Sequence, residues 1–236
     1  MRKPVRNIGG SVRARLLNIS KQRQQPNELL LTRYAIERLL YRLSITNHRE
    51  RFVLKGAMLM TAWLGDSFRP TRDLDLLSFG DSDPQAMLAV FREICAVAMD
   101  DGVVFDVKSL RIDLVREELQ YGGLRIKTHA TIGGARVRVV VDIGFGDVVE
   151  PGIVELELSV WLDLPPPRLR AYPRETVIAE KFQAMVALGR ANSRMKDFYD
   201  VWVLARAYDF SGASLARAIA ATFTRRNTPV PADLTD

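Results

Sequence analysis

In Asp73-Leu74-Asp75-Leu76-Leu77, carboxylate and leucine alternate, and that alternation restricts the fold more than any other stretch of the chain. Side chains alternate sides along an extended strand, so Asp73 and Asp75 share one face while Leu74 and Leu76 enter a core. Two like charges held that close are costly unless a cation lies between them. The segment therefore predicts a sheet with one buried face; its acid pair alone suits a turn or a surface edge, and only together with Lys55-Gly56 upstream and an acid on a later strand does it point to a cation-dependent site. A later strand, Ala135–Ile143, sets Val137, Val139 and Val141 on one face and Arg138, Val140 and Asp142 on the other, so Asp142 can join that site.

The elements around these strands alternate in type. Leu29–Ser44 has leucine and Tyr34 at helical spacing. Phe52-Val53-Leu54 reads as a short strand ending at Lys55-Gly56, followed by a helix over Ala57–Leu64 that Gly65 stops. Asp81-Ser82-Asp83-Pro84 opens a helix reaching about Met99, with Pro84 in its first turn. Val103–Arg116 and Leu124–Ile132 alternate in part, and Gly133-Gly134 turns the chain into Ala135–Ile143. Pro165-Pro166-Pro167 marks a boundary. Beyond it Glu175–Leu188 and Ser193–Ala207 read as helices, the second with Phe198, Val201, Trp202 and Ala205 on its buried stripe. The pattern divides the chain into an arm (1–27), a core (28–167) and a helical part (168–236).

Composition narrows the chemistry. One cysteine, Cys95, excludes an intramolecular disulfide and reads as helix core, and two histidines, His48 and His129, cannot build a zinc-type cluster. No stretch approaches the roughly 20 apolar residues of a membrane span, which leads us to expect a cytoplasmic protein. The formal charge of +6 favours a polyanionic partner, nucleic acid foremost. Residues 1–27 hold seven lysines and arginines and no acid, which suits a solvated basic arm or an RNA-contacting one; Val12, Leu16, Leu17 and Ile19 would fit a short helix there.

In-line phosphoryl transfer requires an activated oxygen and a neutralised polyphosphate, and carboxylate-held magnesium ions do both. Asp73 and Asp75 would bridge the ions and Asp142 would hold one of them, with Asp147 able to replace Asp142. Lys55-Gly56 ahead of the acidic strand fits a turn that approaches phosphate.

Lys55-Gly56-Ala57 followed by Arg69-Pro70-Thr71-Arg72-Asp73-Leu74-Asp75 resembles the nucleotidyltransferase toxins of the AbiEii type, which include the MenT toxins. Val141–Asp147, Glu180-Lys181-Phe182 and Arg194–Asp200 match further motifs in the family's order. The resemblance implies an α+β, polymerase-β-like nucleotidyltransferase fold, a mixed sheet flanked by helices with a helical C-terminal part that completes the active site. It implies transfer of a nucleoside monophosphate from NTP to RNA, at the 3′ end of tRNA for some members, blocking translation. It also implies Mg2+ (or Mn2+) and a cognate antitoxin. The metal-binding pair falls on Asp73 and Asp75, the glycine-turn lysine on Lys55, the second site lysine on Lys181, and the acid of the helical motif on Asp197, which could pair with Lys181. Gly56, Ala57 and Arg72 fall on the nucleotide-binding segments. Ala57 replaces the family's frequent serine or glycine, so a phosphate contact there rests on its backbone N–H. Asp200 reads as a partner of Arg194 or Lys196. The rival readings are transfer to a small molecule or protein hydroxyl, and a non-catalytic nucleotide- or RNA-binding module.

Overall fold

The computed structural model describes residues 7–65, 71–116 and 122–231, and its backbone follows the polarity pattern of the sequence. Helices α1 (Ile8–Arg23) and α2 (Asn27–Ser44) lead into β1 (Phe52–Lys55), α3 (Ala57–Leu64), β2 (Asp73–Ser78) and α4 (Pro84–Ala96). Strands β3 (Val103–Phe105), β4 (Arg111–Arg116), β5 (Gly122–Ile132) and β6 (Ala135–Phe145) follow, then β7 (Val154–Glu157) and β8 (Arg168–Ala171). Helices α5 (Arg174–Leu188), α6 (Met195–Ala207) and α7 (Gly212–Arg225) end the described chain. The stretch read as one strand from Val103 to Arg116 is broken by a 3-10 turn at Val107–Ser109, because the Asp106 carboxylate accepts from the Lys108 and Ser109 amides.

The strands form one eight-stranded mixed sheet in the order β3-β5-β6-β2-β1-β8-β7, with β4 on β5. β2 runs antiparallel to β1 and parallel to β6, and β6 antiparallel to β5. The chain forms two compact units, residues 1–145 with 156–169, and residues 146–155 with 170–236.

In the first unit, α1, α2 and α4 pack on β5, β6 and β4, and Leu30, Tyr34, Leu40, Phe91 and Ile94 of the helices are buried, as are Leu74, Leu76, Val139 and Val141 of the sheet. Full burial of each such side chain contributes about 1.5–3 kcal/mol. The helix starts are specified locally: Asn7 and Asp83 accept from the Gly10 and Ala86 amides at 2.8 and 2.7 Å, and Pro84 opens α4. One charged knot lies inside this apolar layer. Arg42 donates to Asp101 at 2.6 and 3.1 Å and to the carbonyl oxygens of Val97 and Val103. The Tyr34 hydroxyl donates to the Asp101 carbonyl at 2.7 Å, and burial together with the Asp101 charge raises its pKa.

Residues 8–23 form α1 within this unit. Val12 and Leu16 are buried, Arg13 donates to the Gly133 carbonyl, Arg15 pairs with Asp163, and Arg23 lies over the Trp161 ring. Arg2, Lys3 and Arg6 lie outside the described residues, as do Arg69 and Pro70 of the motif ahead of β2. Among the described residues no helix is long and apolar enough to cross a membrane.

In the second unit α5 packs on α6 and α7. The stripe expected to be buried on α6 faces outward instead: Phe198 is 45% and Trp202 56% exposed, while Asp197, Asp200 and Leu204 are buried. The reason is charge pairing. Both acids are turned inward by the same lysine, Lys181.

Candidate functional site

Strand pairing in the first unit assembles a row of charges. Lys55 on β1 stands opposite Asp75 on β2, Asp75 is level with Asp142 on β6, and Asp142 is opposite Arg125 on β5. Directly paired residues project from the same side of a sheet, so the four side chains share one face in the order plus, minus, minus, plus. Asp73 lies on the same face two residues back, level with Val140. Asp73 is exposed and Asp75 half-buried, while Leu74 and Leu76 are buried on the opposite side.

Arg125 engages Asp142 with two bonds, Nε to Oδ1 at 2.7 Å and Nη2 to Oδ2 at 2.8 Å. The hydrogen bonds it donates to Asp142 hold the guanidinium pKa above its ordinary value, and the charges of Asp142 and Asp73 add to this.

The turn ahead of α3 is shaped around Asp75. Gly56 has φ +72°, and a Cβ there would stand 2.0 Å from Asp75 Oδ2. A glycine is therefore required for the carboxylate to lie against the start of α3, beside the positive end of its helix dipole. Lys55, Gly56 and Ala57 are all half-buried at this turn, and Arg72 is exposed just before β2.

Asp73 and Asp75 fit a magnesium ion, which takes hard oxygen ligands from one or two carboxylates and completes its shell with water and phosphate oxygens. The missing Cβ of Gly56 leaves room for the Asp75 carboxylate at the turn beside β2. Among the described residues no group of three His, Cys, Asp or Glu side chains is placed to hold a metal. In this arrangement Asp142 is the partner of Arg125.

The remaining expected site residues lie in the second unit. Lys181 on α5 donates to Asp197 at 2.6 Å and lies 2.7 Å from Asp200, both on α6. Asp200 is thus a partner of Lys181, whereas Arg194 or Lys196 was the expected one. Asp147 is engaged by Arg226 at 3.1 Å, and Arg226 also lies 3.0 Å from Glu180. Burial works against the Arg226 charge, but Glu180 and Asp147 outweigh it and raise its pKa. Burial raises the pKa of the adjacent Tyr172 hydroxyl well above its ordinary value, with Glu180 and Asp147 adding to the effect.

Arg125 is the residue that the sequence reading missed. The signal was present, because a two-residue Gly133-Gly134 turn fixes the β5–β6 register, and equal steps back from it bring Arg125 opposite Asp142.

The family model described as "Nucleotidyl transferase AbiEii toxin, Type IV TA system" matches residues 38–236. No curated protein matches the chain. Among solved structures, JHP933 from Helicobacter pylori superposes with a TM-score of 0.51 at 13% identity, covering 84% of this chain and 80% of its own. A second H. pylori protein, assigned as a nucleotidyltransferase, gives a TM-score of 0.50 at 15% identity, covering 84% and 82%. At these identities the likeness is one of fold.

Proposed function

The chain belongs to the AbiEii family of nucleotidyl transferase toxins of type IV toxin–antitoxin systems, and from that premise we propose that it transfers a nucleoside monophosphate from NTP to RNA, at the 3′ end of tRNA, in a Mg2+-dependent reaction on a polymerase-β-like fold. Transfer at that end would prevent aminoacylation and so block translation. The observation that carries the reading is the shared face of Asp73 and Asp75, with Gly56 cut back to admit the Asp75 carboxylate.

The terminal hydroxyl oxygen of the acceptor forms a bond to the α-phosphorus, the α–β bridging bond breaks, and pyrophosphate leaves with the proton delivered to solvent. A bound magnesium would supply charge neutralisation and activation of the attacking hydroxyl. Asp73 and Asp75 would hold it. Lys55 and the Ala57 backbone N–H would receive the triphosphate, joined by Arg72 at the start of β2. Lys181, with Asp197 and Asp200 as its partners in the second unit, is the further residue that the family resemblance assigns to the chemistry. A cognate antitoxin is the protein partner implied by the family.

The test is incubation with total tRNA, Mg2+ and each NTP labelled at its α-phosphate, alongside Asp73→Ala and Asp75→Ala. Label should enter tRNA with the native chain alone. Label in a protein or small molecule would move the acceptor class, and NTP binding without turnover on any acceptor would leave a binding module.

A further inference from the structure

The polar face that carries the acids does not end at them. It continues along β6, β5 and β4, where register brings Arg138 level with His129, Lys127 level with Val140, and Arg111 level with Lys127. The opposite face of β6, with Val137, Val139 and Val141, is buried under the helices. Arg111, Arg136 and Arg138 are exposed, and Lys127 and His129 half-exposed.

The charges on this face do not cancel. Asp113 pairs with Lys127, and Asp142 with Arg125. Among the described residues Arg111 donates to the carbonyl oxygens of Lys108 and Leu110, Arg136 bonds the His129 ring, and no acid pairs with either or with Arg138. Among the described residues three arginines of this face are therefore without an acidic partner. Arg138 is two residues along β6 from the position level with Asp73, about 7 Å away, and Arg136 a further ~7 Å. A strand of regularly spaced negative charges laid along β6 would meet Arg136, then Arg138, and deliver its end to Asp73 and Asp75.

We propose that the open face of β4, β5 and β6 is the docking surface for the phosphate backbone of the RNA acceptor, with Arg136 and Arg138 as its principal contacts and Arg111 at its outer side. The surface deepens the reading above and rests on it for the direction of travel, towards Asp73. Guanidinium groups suit the task because their planar N–H fork matches phosphate oxygens.

The experiment is direct binding of fluorescein-labelled tRNA to the full chain without NTP, followed by anisotropy between 50 and 200 mM salt. Arg136→Glu with Arg138→Glu is compared with Lys21→Glu with Arg92→Glu, an equal charge change at exposed positions on α1 and α4. Arg136→Gln with Arg138→Gln serves as a milder second variant, and circular dichroism checks each fold. The face variant should bind at least tenfold more weakly, and its log-affinity slope against log salt should fall by about 1.4–1.8, from ~0.7–0.9 per lost phosphate contact. Unchanged affinity, an equal loss in the Lys21 and Arg92 variant, or no binding of RNA by the native chain would each overturn the proposal. Label transfer measured in parallel separates the two ideas. Transfer that persists while the face variant binds normally removes this surface and leaves the reaction standing. Face-dependent binding without transfer by any protein does the reverse.

Discussion

Arg125 holds both oxygens of Asp142 across the β5–β6 hairpin, at 2.7 and 2.8 Å, so an internal cation sits where a third metal ligand was expected. Arg125→Ala should release Asp142 to a divalent ion. The pair is partly exposed, 40% and 28% on its two side chains, so solvent screening limits the competition to about 1 kcal/mol. Mn2+ affinity measured by electron paramagnetic resonance should therefore rise about fivefold. Unchanged affinity would exclude Asp142 from the ion's shell.

Asp73→Asn and Asp75→Asn should each lower label transfer about a hundredfold or more, the scale on which single charge-stabilising groups act. Asp73 is exposed, so its variant should melt within a few degrees of the native chain. Activity retained in both variants would sink the carboxylate mechanism.

Gly56→Ala tests the cradle. The positive φ and the 2.0 Å approach to Asp75 should cost about 1–3 kcal/mol in strain and push the carboxylate out of place. We expect a lower melting temperature together with loss of transfer. A fully active, equally stable variant would show that Asp75 need not lie against the turn.

Lys181→Met leaves two buried carboxylates, Asp197 and Asp200, without their cation. Removing one member of a buried ion cluster costs about 3–5 kcal/mol. Urea unfolding should reveal that loss, and adding Asp200→Asn should recover part of it. If stability is unchanged, Lys181 is dispensable to the packing of α5 on α6.

Burial pushes the Cys95 thiol up to about 12. Because the raised value keeps the neutral thiol dominant through pH 9, alkylation of the folded chain by iodoacetamide should stay slow from pH 7 to 9. In urea, where the ordinary value returns, the rate should climb with pH. Mass spectrometry of the intact chain reads both.

The faces of β2 and β6 followed from alternation, because a period of two leaves no freedom about which side Leu74 or Val139 takes. The α6 stripe was misread because the pattern assumes that acids face water; Asp197 and Asp200 are inside only because Lys181, one helix earlier, meets them. The partners of α1 were hidden for a related reason. The acid-free run of the first 27 residues left a solvated or an RNA-contacting arm open, and the arginines on α1 find a carbonyl, a distant carboxylate and an indole ring, none of which is near in sequence. Local pattern carries the backbone and the sides of strands, whereas charge pairing across elements depends on contacts that only the fold creates.

Lys55, Asp75, Asp142 and Arg125 sum to zero formal charge along their row. A fold that balances its own acids can be completed on the ribosome and kept assembled in a chelating or magnesium-poor environment, unlike a small metal-dependent domain that unravels when its ion is withdrawn.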